Sequence, residues 1–328
     1  MSVIFSRAPL RISLGGGGTD LPSYYREHEG YLVAGAIDKY VYMLVHTVFQ
    51  RRYKMKYSET EDVDDIGSIR HPILRETLLR HWRGNPLEIA SVADVPAGTG
   101  MGSSGAYTVA LLKALAHARR TSITQSALAE AACEIEIDVL KEPCGKQDPY
   151  VAAHGGICSY TFHTDGSATV EPLELQPETL RLLRDHLLLF YTGEARDASA
   201  VLMDQDQRTR TGDREMIENL HRTKEFGLRS RELLLSGDLS SYAELMHEHW
   251  LTKRRRSPGM ATGRVDELYT LARRSGVVGG KLVGAGGGGF VLVYARNPSD
   301  TRQAMAAAGA AELPFNFEFV GADSTEYA

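Results

Sequence analysis

Cysteine is scarce: Cys133, Cys144 and Cys158 are the only three in 328 residues, and none belongs to a CxxC pair. Three thiols cannot all pair within one chain, so a disulfide framework and a cysteine-rich zinc site are both poor readings. The expected compartment is reducing. No run of about 18 apolar residues occurs, so no membrane-spanning helix is expected. In the N-terminal MSVIFSRAPLRIS, the apolar stretch from Val3 to Phe5 is cut by Arg7 and Arg11, which leaves no signal-peptide core. Charge of one sign is lacking too. The 37 Lys and Arg against 42 Asp and Glu give a net charge of −5, with no global attraction for nucleic acid or anionic lipid. Low-complexity tracts, long linkers and solenoid repeats are absent. With 43% hydrophobic and 24% charged residues, the composition is that of a globular chain. A soluble cytoplasmic protein, with no nucleic-acid or membrane partner, is the first expectation.

Glycine, by contrast, is abundant: 32 of 328 residues, against a usual share of about 7%. Three clusters hold much of the excess. APLRISLGGGGTD (8–20) reads as a strand breaking into a turn. PAGTGMGSSGA (96–106) sits between a strand and a helix. KLVGAGGGGF (281–290) leads into the strand FVLVY. Strands are expected over 7–14, 31–37, 40–49, 87–94, 187–192 and 290–295, each rich in Val, Ile, Leu or Tyr. Helices are expected over 103–118, with serines suited to an N-cap, and over 124–140, where Leu128, Ala131, Ala132, Ile135 and Val139 form one stripe. Further helices are expected over 177–184, 213–235, 239–252, 264–275 and 299–308. A soft boundary falls near residue 180, giving units 1–180 and 181–328.

The middle cluster has the sharpest meaning. Glycines let backbone N–H groups approach a ligand, and the following helix offers free N–H groups and a positive dipole end. Together these make an anion site, most often for phosphate. It is not a Walker A loop, because GxxxxGK[ST] is absent and Gly280-Lys281 is followed by Leu282. GMGSSG (100–105) and GAGGGG (284–289) match GxGxxG by letters only. The first lacks an acidic residue about twenty positions on, and the second precedes a strand where a helix is required. HRD, DFG and HExxH are absent, and His247 and His249 have the wrong helical spacing to share a metal.

The three clusters, in this order and at these separations, resemble the GHMP kinase superfamily, which includes galactokinase, homoserine kinase and mevalonate kinase. The resemblance covers nearly the whole chain. LGGGGTDLPSYY, GKQDPY and HWLTKRRRS are most similar to the D-glycero-D-manno-heptose 7-phosphate kinases of its sugar-1-kinase branch. The resemblance implies an α+β, two-domain fold. Its N-terminal domain is like ribosomal protein S5 domain 2, its C-terminal domain is ferredoxin-like, and the active site lies between them. ATP and Mg2+ are the implied cofactors, and a sugar phosphate is the implied acceptor. A homodimer stays open.

Residue by residue, the ATP-phosphate cradle implied is Pro96, Gly98, Gly100, Gly102, Ser103, Ser104 and Gly105. Glycine at 105, where the family pattern has alanine, costs the first helical turn some stability but leaves the serine hydroxyl intact. Ser104 and Glu136, seven before Pro143, are the implied Mg2+ ligands, with Glu134 a near neighbour. Asp148 is the implied catalytic base, against a helix N-cap role. Arg11 would support charge beside it, against an ordinary strand charge, and Lys146 is a second candidate cation. Gly17, Gly18, Thr19 and Asp20 are expected at the sugar, together with Gly286 and Gly287 of the last cluster. Two basic runs, RRYKMK (51–56) and KRRR (253–256), are candidates for a substrate phosphate, each against a solvated face. Lys253 and Arg254 are the choice, because they align with the subfamily pattern. Cys144 reads as structural. The expected reaction is direct in-line transfer to an anomeric hydroxyl. Alternatives are a neutral hexose, a deoxysugar or a cyclitol phosphate as acceptor, and, more remotely, a non-catalytic binding protein of the same fold.

Overall fold

The computed structural model describes residues 2–49, 51–194 and 199–327. In chain order the first part runs β1 (Val3–Gly15), α1 (Pro22–His28), β2 (Gly30–Thr47), β3 (Tyr53–Lys56), β4 (Thr60–Val63), α2 (Pro72–His81), β5 (Leu87–Ala93) and α3 (Ser103–Ala118). Next come α4 (Gln125–Cys133), a π-helical segment (Glu134–Val139), α5 (Gln147–His154), β6 (Ile157–Phe162), β7 (Ala168–Pro172) and α6 (Pro177–His186). The remainder is β8 (Leu187–Tyr191), α7 (Ser199–Arg210), α8 (Arg214–Ser236), α9 (Leu239–Arg254), α10 (Gly263–Arg274), β9 (Val277–Leu282), β10 (Phe290–Ala295), α11 (Pro298–Ala307) and β11 (Asp323–Tyr327).

Two sheets organise these elements. In the larger, β11, β1, β2, β5, β3 and β4 lie side by side. The segments 31–37 and 40–49 prove to be one strand, β2. Its first part pairs with β6 and its second part with β5, while β1 runs along its other edge. Asp38 and Lys39 are absorbed in a bulge between the pairs Pro9–Tyr40 and Leu10–Ile37. Helix α3 is apolar nearly all round, as a helix buried on most faces must be, and it packs on β1 and β2. Ser6 Oγ donates to its Ala110 carbonyl at 2.7 Å.

The smaller sheet has the order β8-β10-β9 among the described residues. Glu312 adds an isolated bridge to Phe190 on the outer side of β8. The resulting plan is that of a ferredoxin-like sheet whose fourth strand has shrunk to one bridge. The boundary near residue 180 separates β1–β7 from β8–β10 but fails at the C-terminus. Residues 316–318 bond back to Asp38, Ala36 and Gly156, and β11 pairs with β1. The last strand of the second unit therefore belongs to the first sheet.

The helix expected over 124–140 changes character part-way. Thr124 caps it as expected, accepting from Ala127 N at 3.2 Å. At 134 the backbone widens, and Leu140 N reaches Ile135 O at 2.9 Å, five residues back. Such insertions concentrate at functional sites. Here Ile135 and Glu136 are both buried.

Candidate active site

One cavity of about 870 Å³ lies between the larger sheet's end and the α9–β9 wall. Strand β1 delivers Arg11 to it, and α5 delivers Asp148. Asp148 is the second residue of α5 and caps nothing. Its Oδ1 accepts from Arg11 Nε and Nη2, both at 2.7 Å, and from Gln147 Nε2 at 3.2 Å. Among the described residues its Oδ2 carries no hydrogen bond. Arg11 is itself clamped: its backbone N–H donates to Met101 O at 3.1 Å, and Nη1 donates to Gly100 O. The first strand is thereby tied to the phosphate-loop candidate.

That loop runs into α3, whose N-cap is Gly102 in a left-handed conformation rather than a serine. The amides of Ser103, Ser104 and Gly105 have no acceptor among the described residues, which is the expected state of a helix N-terminus awaiting an anion. Pro96, Gly98, Gly100, Gly102, Ser103 and Ser104 all line the cavity. Gly105 does not. A Cβ there would lie 2.8 Å from both Asp148 Cβ and Pro149 N. Glycine at 105 is what allows the first turn of α3 to abut Asp148.

Ser104 Oγ donates to Glu136 Oε2, while Oε1 of the same carboxyl is buried without a partner among the described residues. Burial, and then the charges of Asp148 and Glu142, push the Glu136 pKa up to about 7, against the Ser104 and Thr108 hydroxyls. A buried carboxyl with an orphaned oxygen, beside a hydroxyl, is a donor set suited to a cation. Glu134 is exposed on the other face.

The first glycine turn contributes less than expected. Gly17, Gly18 and Asp20 line the cavity, but Thr19 does not reach it. Thr19 Oγ1 donates to Gly16 O and Tyr31 O, both at 2.9 Å, and so serves the turn itself. Asp20 Oδ1 accepts from Gly18 N at 3.0 Å, and its Oδ2 from Gln147 N at 3.1 Å. Burial, then the charge of Asp148, raises its pKa.

Four other expectations are corrected. Lys146 points away, its ammonium held by Glu130 at 2.8 and 2.9 Å and by Gly166 O at 2.6 Å. Arg254 lies outside the cavity, pairing with Asp266 at 2.8 Å. In RRYKMK, Arg52 pairs with Asp62 and Asp64, and Lys56 with Glu88, on an exposed surface. Gly286 and Gly287 face Met260 instead of the cavity. The cations that do line the cavity are Arg11, Lys253, Arg256 and Lys281, with His249 among them. Lys281, His249 and Gln147 are not among the residues the sequence marks for the site, and Arg256 belongs to the candidate run KRRR (253–256), from which Lys253 and Arg254 are the expected pair. Spacing was an available signal, since His249, Lys253 and Arg256 stand at i, i+4 and i+7, one helical face. Lys281 had its own signal, a lone cation in an otherwise apolar or glycine-rich strand.

Lys281 is 2% exposed and makes no hydrogen bond among the described residues. Burial, then Arg11 and Arg256, lowers its pKa from 10.5 to about 7. The unfolded chain takes up this proton near its ordinary pKa, the folded chain only near 7. The stability contribution is therefore full above the unfolded value and is lost as pH falls towards the folded one. The urea midpoint of the wild type should fall relative to that of Lys281→Met between about pH 10 and pH 7, then run parallel to it. A constant offset across that window would contradict a buried, unpaired Lys281.

Residues 72–156 match the family model described as GHMP kinases N terminal domain, and residues 230–312 match GHMP kinases C terminal. The chain belongs to the GHMP kinases. It is thus an ATP-dependent phosphotransferase acting on a hydroxyl. A D-glycero-alpha-D-manno-heptose 7-phosphate kinase of Campylobacter jejuni is 26% identical over 306 residues, 90% of each chain. A bifunctional fucokinase/GDP-fucose pyrophosphorylase of Arabidopsis thaliana is 26% identical, over 90% of this chain and 30% of its own. Among solved structures, a D-glycero-D-manno-heptose 1-phosphate kinase from Bacteroides thetaiotaomicron superposes with TM-score 0.80 at 22% identity, covering 99% of both chains. This GHMP kinase has no described helix long and apolar enough to cross a membrane.

Proposed function

We propose that this GHMP kinase is a sugar-1-kinase that moves the γ-phosphoryl group of ATP to the anomeric hydroxyl of D-glycero-D-manno-heptose 7-phosphate. The observation that carries the reading is Asp148, beside the N-terminus of α3, whose Oδ1 is pinned by Arg11 while its Oδ2 has no hydrogen bond among the described residues. A positioned carboxylate of this kind accepts the hydroxyl proton as the new O–P bond forms and the bond to ADP breaks. No phosphoenzyme is required. The Arg11 guanidinium offsets charge on both the carboxylate and the transferring group. The amides of Ser103 to Gly105 hold phosphate oxygens. The wall around Tyr57, His71, Tyr107, Val92 and Val95 suits the flat, apolar base of the nucleotide, with His71 stacked on Tyr107 at 5.0 Å.

Ser104 and Glu136 would hold Mg2+, which takes few protein ligands and completes its shell with water and phosphate oxygens. When bound, the ion neutralises phosphate charge. Heptose 7-phosphate as acceptor is supported by the Campylobacter relative, which aligns over nearly the whole chain. The fucokinase relatives favour a second reading, a neutral hexose or deoxysugar.

Coupled ADP release with MgATP tests the acceptor against heptose 7-phosphate, the dephosphorylated heptose, galactose, fucose and mannose. The expected result is turnover of the phosphorylated heptose well above the others. Preference for a neutral sugar would discard this acceptor and keep the kinase.

A further inference from the structure

The cavity contains two devices for anions, built from different chemistry. One is neutral: the unpaired amides at the start of α3. The other is cationic and lies on the α9–β9 wall, where Lys253, Arg256, Lys281 and His249 are all buried and all face the cavity. None of the four has a carboxylate partner within salt-bridge distance among the described residues. Lys253, Lys281 and His249 each feel the charge of others in the set, while Arg256 is opposed by its own burial and favoured by the nearby charge of Asp20.

Their roles differ. Lys253 Nζ donates to Leu282 O at 3.0 Å and to Gly284 O, tying α9 to the last glycine loop. Arg256 is fixed by Asn219 at 3.1 Å, Thr223 at 2.7 Å, Gln205 at 3.3 Å and Gly17 O at 3.4 Å. It therefore touches the first glycine turn, beside Asp20, and not the phosphate loop. Two groups keep unused capacity. Among the described residues Lys281 Nζ has no hydrogen bond, and His249 Nε2 is buried without a partner. An uncompensated buried cation is destabilising unless an anion arrives. The α3 amides, Arg11 and the Ser104–Glu136 pair already serve the phosphates of the nucleotide, whatever the acceptor.

Resting on the sugar-kinase reading above, we propose that Lys281, backed by Arg256 and Lys253 and with His249 beside it, binds a phosphoryl dianion on the acceptor. The protein then selects an acceptor that already carries a phosphate remote from the reacting hydroxyl. The cost of holding Lys281 and Arg256 charged and buried in the free protein is offset when such an acceptor binds. Lys281 makes the contact, Arg256 supplies field and orders the turn, and Lys253 holds the wall.

Lys281→Met keeps the length of the side chain and removes the charge, so the variant should fold and melt above the wild type when free of ligand. With MgATP, the ratio of kcat/KM for heptose 7-phosphate over that for the dephosphorylated heptose should fall roughly tenfold to hundredfold, the loss of a hydrogen bond to a charged group. KM for ATP should not follow it. A rise in KM for ATP with the ratio unchanged would assign the cluster to the nucleotide and overturn the proposal. Equal use of both heptoses by the wild type would overturn it while the kinase stands. If no sugar is turned over, inorganic phosphate is titrated calorimetrically with a non-hydrolysable ATP analogue saturating the nucleotide site. Phosphate binding lost in Lys281→Met would support the anion site although the sugar reading has failed. Equal binding in both proteins would overturn it.

Discussion

Asp148→Asn is expected to lower kcat by about 10²–10⁴-fold, the usual contribution of a positioned general base, while nucleotide binding survives. The side chain keeps its volume and an oxygen for Arg11 and Gln147, so the clamp on Oδ1 can persist. What is lost is the proton acceptor at Oδ2. The substitution also leaves Arg11, 5% exposed, without its carboxylate. Thermal melting therefore has to accompany the kinetics. A folded variant that binds the ATP analogue and turns over at near wild-type kcat would remove Asp148 from the chemistry.

The second large effect is expected from Gly284→Ala, although residue 284 carries no functional group. Its φ is +78°, a conformation costly for alanine. A Cβ there would lie 2.4 Å from Gly100 Cα, and backbone cannot yield as a side chain can. The close approach is mutual, since a Cβ on Gly100 would meet Val283 O at 2.7 Å. The third cluster is thus built so that the second can lie against it, with Gly100 also accepting from Arg11. Displacing this contact moves the phosphate loop relative to Asp148. A misplacement of about 1 Å costs on the order of 100-fold, so kcat/KM for ATP should fall by about that factor and the melting temperature should drop. Retention of both in the variant would show that the two loops do not depend on each other.

How far the sequence could be read differs from element to element. Helix α3 was legible to its ends, because an apolar run of that length has one reading and a glycine loop precedes it. Strands β3, β4, β6, β7, β9 and β11 were not assigned. Several are short or polar, and β11 (DSTEY) is a strand only because β1 offers it an edge. Asp148 and Ser104 are named by their motifs, and both line the cavity. Lys146 and Arg254 were misassigned because each is adjacent in sequence to a cavity residue yet points elsewhere. One position along a helix turns a side chain by about 100°, which is enough to move Arg254 out to Asp266 while Lys253 faces inward.

The sequence alone determined the family and marked the candidates for the phosphate loop, the catalytic base and the cation site, because each resides in a contiguous motif whose chemistry depends on local backbone. Tertiary structure decided what depends on elements far apart in the chain. It brought Arg11 to Asp148 across 137 positions, docked the third glycine cluster on the second, and left Lys281 buried opposite Arg256. No local pattern encodes which cation will lack a partner, because that is set by the carboxylates the rest of the fold does or does not bring near it.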